Sequence, residues 1–369
     1  MKKRFFTLLC LAAWMKLSSS NAVGQPSVYS GVFDGNQGGL DSAASWQAIT
    51  NFVNNAKKDV SIINFFRSWT TGSSTNGDAP FATSPMDKIR SHGSIPLYTW
   101  QPQNSSLGVT QSFNCASIIA GNYDAYITTW AADVKTWGHP LFLRLAHEMN
   151  GNWYPWCVGV NGNTSAQYVQ MWQHVHDLFT QVGATNVTWV WCVNTAFSGS
   201  TPIDELYPGD NYVDWVALDN YNRLSNPWGD FSDRGTNTIA QLISIAPGKP
   251  IMVAETGCNQ NTNYNKSQWF LNALTNYLPA VQPRIKAWVY FNATNANDGN
   301  DWVITDPTNA VVGYQQGIGL SYYDTNRYGS ISSCPIQPLS NDLTTSDTMP
   351  PFVSIVSPAT DQVRTARIC

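Results

Sequence analysis

Short apolar runs alternate along the chain with longer stretches of helical period. The runs at 27–33, 60–66, 95–100, 141–147, 187–194, 213–219, 250–255 and 285–292 have strand length, and several are rich in Val, Ile, Trp and Tyr. The clearest helix follows Thr164, which makes a capping-box pattern with Gln167. Its apolar residues then recur as Tyr168, Met171, Trp172, Val175, Phe179 and Val182. Further helices are predicted over 116–137 and 268–281. Eight strands with helices between them predict an α/β protein of the closed (β/α)8, or TIM-barrel, type. An open doubly wound sheet would be favoured by a glycine-rich phosphate turn after the first strand. The segment Asp34-Gly35-Asn36-Gln37-Gly38-Gly39 lacks that spacing.

The two ends follow other patterns. Residues 1–22 read as a secretory signal peptide: Lys2, Lys3 and Arg4 precede a short apolar run from Phe5 to Trp14, and Ser20-Asn21-Ala22 offers small residues for cleavage. The run is too short to span a bilayer. The barrel is expected over 23–334. Residues 335–351, rich in Pro, Ser, Thr and Asp, read as a linker. Residues 352–369 hold one strand-like run, Phe352 to Pro358, which resembles the opening of an immunoglobulin-like module cut short. The chain is thus expected to be secreted.

Composition narrows the partners. Charged residues are only 12% of the chain, the net charge is −4, and outside the extreme N-terminus Lys and Arg form no run. Nothing there favours nucleic acid or a membrane. The 16 Trp, 16 Tyr and 15 Phe are the informative excess. Many sit beside Asn, Gly and Asp, and aromatic faces next to polar groups suit sugar rings. Export would allow the six cysteines after Cys10 to oxidise. They show no Cys-x-x-Cys spacing, and the five histidines (His92, His139, His147, His174, His176) are scattered. No metal or cofactor is therefore expected, and a metal-dependent barrel hydrolase is disfavoured. Asn163 and Asn186 each begin an Asn-X-Ser/Thr site.

Catalytic groups of such barrels lie at the C-terminal ends of strands. Only the fourth and seventh predicted strands present a glutamate there, Glu148 and Glu255. Glycosidic bonds are cut by two carboxyl groups flanking the linkage, one able to donate a proton and one ionised. A non-catalytic carbohydrate-binding barrel would keep the aromatics and lose a carboxylate, and both are present. Arg144 lies four strand residues deeper than Glu148 and reads as structural; Asp214 and Asp219 receive no role.

The run Leu143-Arg144-Leu145-Ala146-His147-Glu148-Met149-Asn150-Gly151-Asn152-Trp153-Tyr154-Pro155-Trp156 resembles the signature of glycoside hydrolase family 26. Residues 213–222, 251–257 and 288–292 are similar to that family's sixth, seventh and eighth strands. The resemblance implies a retaining endo-hydrolase with Glu148 as acid/base and Glu255 as nucleophile. It implies that His147 bonds the sugar or the nucleophile and that Tyr221 donates to Glu255. It makes Trp288 the platform at the cleaved subsite and Trp153 a wall beside the acid/base. Trp100 and Trp228 are further expected platforms along a cleft for an extended chain of pyranose rings. The family's commonest activity gives β-1,4-mannan as the expected substrate, with mixed-linkage β-1,3-1,4-glucan or β-1,3-xylan as the alternative, and the enzyme is expected to act as a monomer. Cys157 and Cys192 depart from the family's pattern and, lying on neighbouring strands, are an expected disulfide.

Overall fold

The computed structural model describes residues 27–339 except 35–39, 41, 73, 225–226, 261–264, 296–298 and 332. The expected signal peptide, residues 340–351 of the expected linker and the expected immunoglobulin-like segment lie outside the described residues.

Eight parallel strands close on themselves: β1 (Val28–Asp34), β2 (Ile62–Ser68), β3 (Ile95–Gln101), β4 (Leu141–Leu145), β5 (Val187–Asn194), β6 (Trp215–Asn222), β7 (Ile251–Cys258) and β8 (Ile285–Asn292), with β8 pairing back onto β1. The helices on the outside are α1 (Ala43–Ala56), α2 (Thr83–His92), α3 (Cys115–Ile119), α4 (Asp124–Trp137), α5 (Ser165–Val182), α6 (Phe231–Ile245), α7 (Lys266–Leu271) and α8 (Ala310–Ile318). The (β/α)8 expectation holds. Thr164 and Gln167 form the reciprocal capping box that starts α5. The single helix expected over 116–137 is two, because the chain turns through Gly121 at φ 83°. The helix expected over 268–281 begins at Lys266 and widens to a π-helix from Asn272 to Val281, which contains Pro279.

Alternation along each strand sorts side chains into two layers. One face looks into the barrel, where Ile62, Leu97, Phe142, Val190, Trp215, Ala217, Met252, Ala287 and Val289 pack together. The other face meets the helices, with Tyr98, Trp100, Leu143, Trp191, Val253, Trp288 and Tyr290. The N-terminal mouth of the barrel is closed by the segment after Cys334. Ile336 packs under the interior residues, its N–H donates to Thr188 Oγ1 (2.8 Å), and its carbonyl accepts from Trp215 Nε1 (2.8 Å). Tyr29 donates to the Gln337 carbonyl at 2.9 Å. The barrel unit therefore runs to Leu339 rather than 334, and the first residues of the expected linker are its floor.

The amides of Asn163 and Asn186 are committed inside the fold. The first donates to the Pro155 and Cys157 carbonyls, the second to those of Val134 and His139. Among the described residues no helix is long and apolar enough to cross a membrane.

Candidate active site

Above the apolar layers the barrel interior turns polar. Arg144 is the inward residue of β4 next above Phe142, and it is fully buried. Its Nε donates to Thr99 Oγ1 (2.9 Å), its Nη1 to both oxygens of Asp219 (2.9 and 3.1 Å), and its Nη2 to Glu255 Oε1. A buried guanidinium needs this many acceptors to offset its desolvation. Arg144 is thus not only structural: it holds the carboxylate of Glu255 from below. Cys192, inward on β5, places its Sγ 3.2 Å from Asp219 Oδ1, while Cys157 Sγ lies 3.5 Å from the Glu148 carbonyl. Both are free thiols in separate surroundings, which corrects the expected disulfide between them. Their strands are neighbours, but Cys192 faces the barrel interior and Cys157 belongs to the loop.

Glu255 reaches this layer by an irregularity. Met252 and Ala254 point inward, so strict alternation would send Glu255 to the helices. The β6–β7 register slips between Leu218/Val253 and Asp219/Glu255. Such a bulge re-aims a side chain, and here it turns Glu255 to meet Arg144. Tyr221, inward on β6, donates to Glu255 Oε2 at 2.5 Å, as the resemblance implied.

Glu148 stands beyond the end of β4. Ala146 and Glu148 adopt left-handed backbone at φ 43° and 55°, which costs a non-glycine residue about 1–2 kcal/mol. Neighbours fix it: Ala146 N–H donates to the Trp100 carbonyl, Tyr168 to the Ala146 carbonyl, and Glu148 N–H to the Cys192 carbonyl. The carboxyl accepts from Asn194 Nδ2 (2.8 Å) and Trp153 Nε1 (2.7 Å). Asn150 orients Asn194 by a two-point backbone clamp, 2.8 Å each way. Gly151 explains the Asn-Gly pair after the glutamate: a Cβ there would lie 2.5 Å from the Trp153 ring. Gly257 does the same near Glu255, since a Cβ would meet Trp302 at 2.5 Å.

Burial, then the charge of Glu255, push the Glu148 carboxyl up from its ordinary range, against the pull of Asn194, Trp153 and Arg223. Burial and Arg144 push His147 well down, so its imidazole is neutral. His147 Nε2 lies 3.9 Å from Glu255 Oε1, beyond a hydrogen bond, and its Nδ1 has no partner among the described residues. Single atoms of His147, Asp219 and Glu255 gather within 4.8 Å, as a metal site would require. Arg144 already supplies the cation there.

Two clefts meet at Glu148. One, of about 320 Å³, holds both glutamates with Asp34, Phe66, Phe291 and Trp302. The other, of about 760 Å³, holds Glu148 but not Glu255, with Trp153, Asn194 and Phe197. Tyr154, Tyr221 and Arg223 line both. Of the expected site residues, Glu148, Glu255, Tyr221 and Trp153 line these clefts, and His147 sits just behind them. Trp100 and Trp288 do not, which corrects their expected roles. Each is 0% exposed and faces the helices, Trp100 against Trp130 and Phe179, Trp288 against Phe231 and Trp269. Trp228 is half-buried against that same aromatic layer and lines neither cleft. The aromatic walls of the first cleft are instead Phe291, inward on β8, and Trp302 from the loop after it. Trp302 packs 4.5 Å from the Tyr221 ring, under the Arg223 guanidinium. Lys266 holds that loop. It is fully buried and donates to the carbonyls of Asp301, Val303 and Asp306, while burial draws its pKa down to about 8.

Trp153→Phe is expected to keep an aromatic wall and lose the bond to Glu148 Oε2. That bond favours the carboxylate, so its loss raises the Glu148 pKa further. If Glu148 must be protonated to act, the basic limb of the pH–kcat/KM profile moves to higher pH. A limb that stays put or moves down would contradict this.

A closed (β/α)8 barrel with two buried carboxyls at the C-terminal ends of β4 and β7 defines a barrel with an acidic strand-end site. The sequence profile of glycosyl hydrolase family 26 matches residues 36–303, and the chain belongs to that family. Endoglucanase H of Acetivibrio thermocellus is 33% identical over 283 residues, 74% of this chain but 29% of that protein. A β-1,3-xylanase of Vibrio sp is 25% identical over 51% of this chain and 43% of its own length. The chain thus spans under half of either relative. The catalytic domain of an endo-β-1,4-mannanase from Bacillus sp. JAMB-750 shares the fold, with TM-score 0.62 and 19% identity over 82% of this chain and 88% of that one.

Proposed function

We propose that the chain is a retaining endo-acting β-glycan hydrolase, with Glu255 as nucleophile and Glu148 as acid/base. The carrying observation is the contrast between the two carboxyls at one cleft. Glu255 accepts from Arg144 and Tyr221, donors that favour its anion. Glu148 is buried, with its pKa raised, as a proton donor requires. In the first half-reaction Glu255 attacks the anomeric carbon while Glu148 protonates the leaving oxygen. In the second, Glu148 takes a proton from water as it opens the glycosyl ester. His147, neutral, sits behind the cleft without competing for the anion.

Two backbones have support. The relative matched over most of this chain is named an endoglucanase, which favours β-glucan. Shorter matches of 25–31% identity are named mannan endo-1,4-β-mannosidases or β-1,3-xylanases, which keeps mannan, the expectation from the resemblance, as the second reading. Such polymers do not enter cells, so the proposal agrees with export through the N-terminal segment.

The test is product analysis on mixed-linkage β-glucan, galactomannan and β-1,3-xylan. Short oligosaccharides are expected from the preferred polymer, with the β anomer formed first by NMR. Faster cleavage of galactomannan would reverse the order of the two backbones. An initial α anomer would overturn double displacement.

A further inference from the structure

Lys266, the first residue of α7, is 0% exposed and lines neither cleft. Burying an ammonium is costly unless each of its three N–H groups finds an acceptor. The acceptors here are backbone carbonyls of a single loop: Val303 and Asp306 at 2.9 Å, and Asp301 at 3.4 Å. The barrel ties the same loop down from its other side. Asp301 N–H donates to Asn259 Oδ1 (2.6 Å), Ile304 N–H to Asn292 Oδ1 (2.8 Å), and the Tyr290 hydroxyl to the Trp302 carbonyl (2.5 Å). What this loop presents to the site is Trp302. Its ring lies 4.5 Å from that of Tyr221 and 5.7 Å from that of Phe291. It also sits on the β7 backbone two residues beyond Glu255, where a Cβ on Gly257 would lie 2.5 Å from it. The Arg223 guanidinium covers both rings, 4.9 Å from the Tyr221 centroid and 5.4 Å from that of Trp302.

We infer that Lys266 is a positioning residue for the nucleophile: its ammonium seats the 301–306 loop so that Trp302 backs the Tyr221 ring and aims its hydroxyl at Glu255. This rests on the proposed hydrolase reading. Lys266 reaches the site only through the loop. An apolar side chain of similar length would fill the space and leave the three carbonyls without their donor, and the loop must then shift to satisfy them. Once Trp302 shifts with it, Tyr221 keeps its place on β6 but loses the nearest ring that fixes its plane. The hydroxyl bond to Glu255 weakens, because such bonds fall off steeply with angle. Lys266 thus sets how well the nucleophile is aimed, although it touches neither the sugar nor the carboxylate.

The experiment measures kcat/KM on the fastest-cleaved of mixed-linkage β-glucan, galactomannan and β-1,3-xylan. It compares wild type, Lys266→Met, Lys266→Gln, Tyr221→Phe and the two double variants, with a thermal melt of each. Lys266→Met is expected to lower kcat/KM about five- to ten-fold, a partial loss of a hydrogen bond to a charged group. Lys266→Gln, which keeps two N–H donors, should recover part of that loss. In the Tyr221→Phe background there is no hydroxyl to aim, so either change at Lys266 should cost less than about two-fold. Losses at separate sites ordinarily multiply, and a smaller folded fraction would lower both backgrounds alike, so a merely structural lysine does not give this pattern. Equal losses in the two backgrounds would overturn the proposal. So would full activity of Lys266→Met, or failure of both single Lys266 variants to melt cooperatively. A wild-type chain inert on all three polymers would instead sink the hydrolase reading, and the positioning role with it.

Discussion

Glu255→Ala is expected to abolish turnover of polysaccharide, and added azide should restore cleavage with the opposite anomeric outcome to that of Glu148→Ala. Removing Glu255 leaves a cavity on the face of the sugar opposite the leaving group. Azide entering it attacks the anomeric carbon once, giving an α-glycosyl azide. Removing Glu148 leaves the nucleophile intact, so a substrate with an activated leaving group still forms the ester. Azide in the place of the attacking water then gives a β-glycosyl azide. The loss for a covalent nucleophile is on the order of 10⁴ to 10⁶, and for a general acid/base about 10² to 10⁴. Arg144 and Tyr221 both bond Glu255, so part of the larger loss reflects donors left without their anion. Anomer assignment by NMR checks the roles separately. The same azide anomer from both variants would contradict the assignment, and near-native turnover by either would end it.

The barrel was legible because period-two and period-3.6 runs alternate along the chain, and the two glutamates because each follows an apolar run of strand length. What was not legible follows from geometry the periodicities do not encode. Trp288 was expected as a platform, yet Ala287 and Val289 beside it are the inward residues of β8, so Trp288 between them faces the helices. Reading that alternation forward from Ala287 and Val289 leads to Phe291, which does line the cleft. Trp100 fails the same way, between the inward Thr99 and Gln101. Trp302 gave no signal, since it comes from a loop held by Lys266, Tyr290 and Asn259 rather than from a strand end. The bulge that turns Glu255 inward is likewise invisible in a run that alternates regularly up to Ala254. Asp219 and Arg144 could have been found together, because both fall on inward positions of their strands and opposite charges in a barrel core must meet.

Arg144→Met is expected to cost more stability than any surface change, and the cost should depend on pH. The guanidinium is fully buried and pairs with Asp219 and Glu255. Removing one partner of such a cluster leaves buried carboxyls uncompensated, a loss of about 3–5 kcal/mol. In wild type, burial and Glu255 already push Asp219 up while Arg144 pulls it down. Without Arg144 the upward influences of burial, Glu255 and Glu148 are opposed only by the hydrogen bond from Cys192, so folded Asp219 holds a proton that the unfolded chain releases above about pH 4. The folded state then binds more protons than the unfolded one, and stability falls as pH rises. The deficit of the variant relative to wild type should therefore be larger at pH 8 than at pH 5, read from urea midpoints at both. Adding Asp219→Asn to Arg144→Met removes one of the stranded charges and should recover part of the loss at pH 8. Arg144→Lys keeps a charge but cannot reach Thr99, Asp219 and Glu255 together. It should keep more stability than Met while still lowering kcat, because Glu255 loses the donor that aims it. A deficit equal at both pH values, or larger in acid, would show that Arg144 does not balance Asp219 in the folded protein.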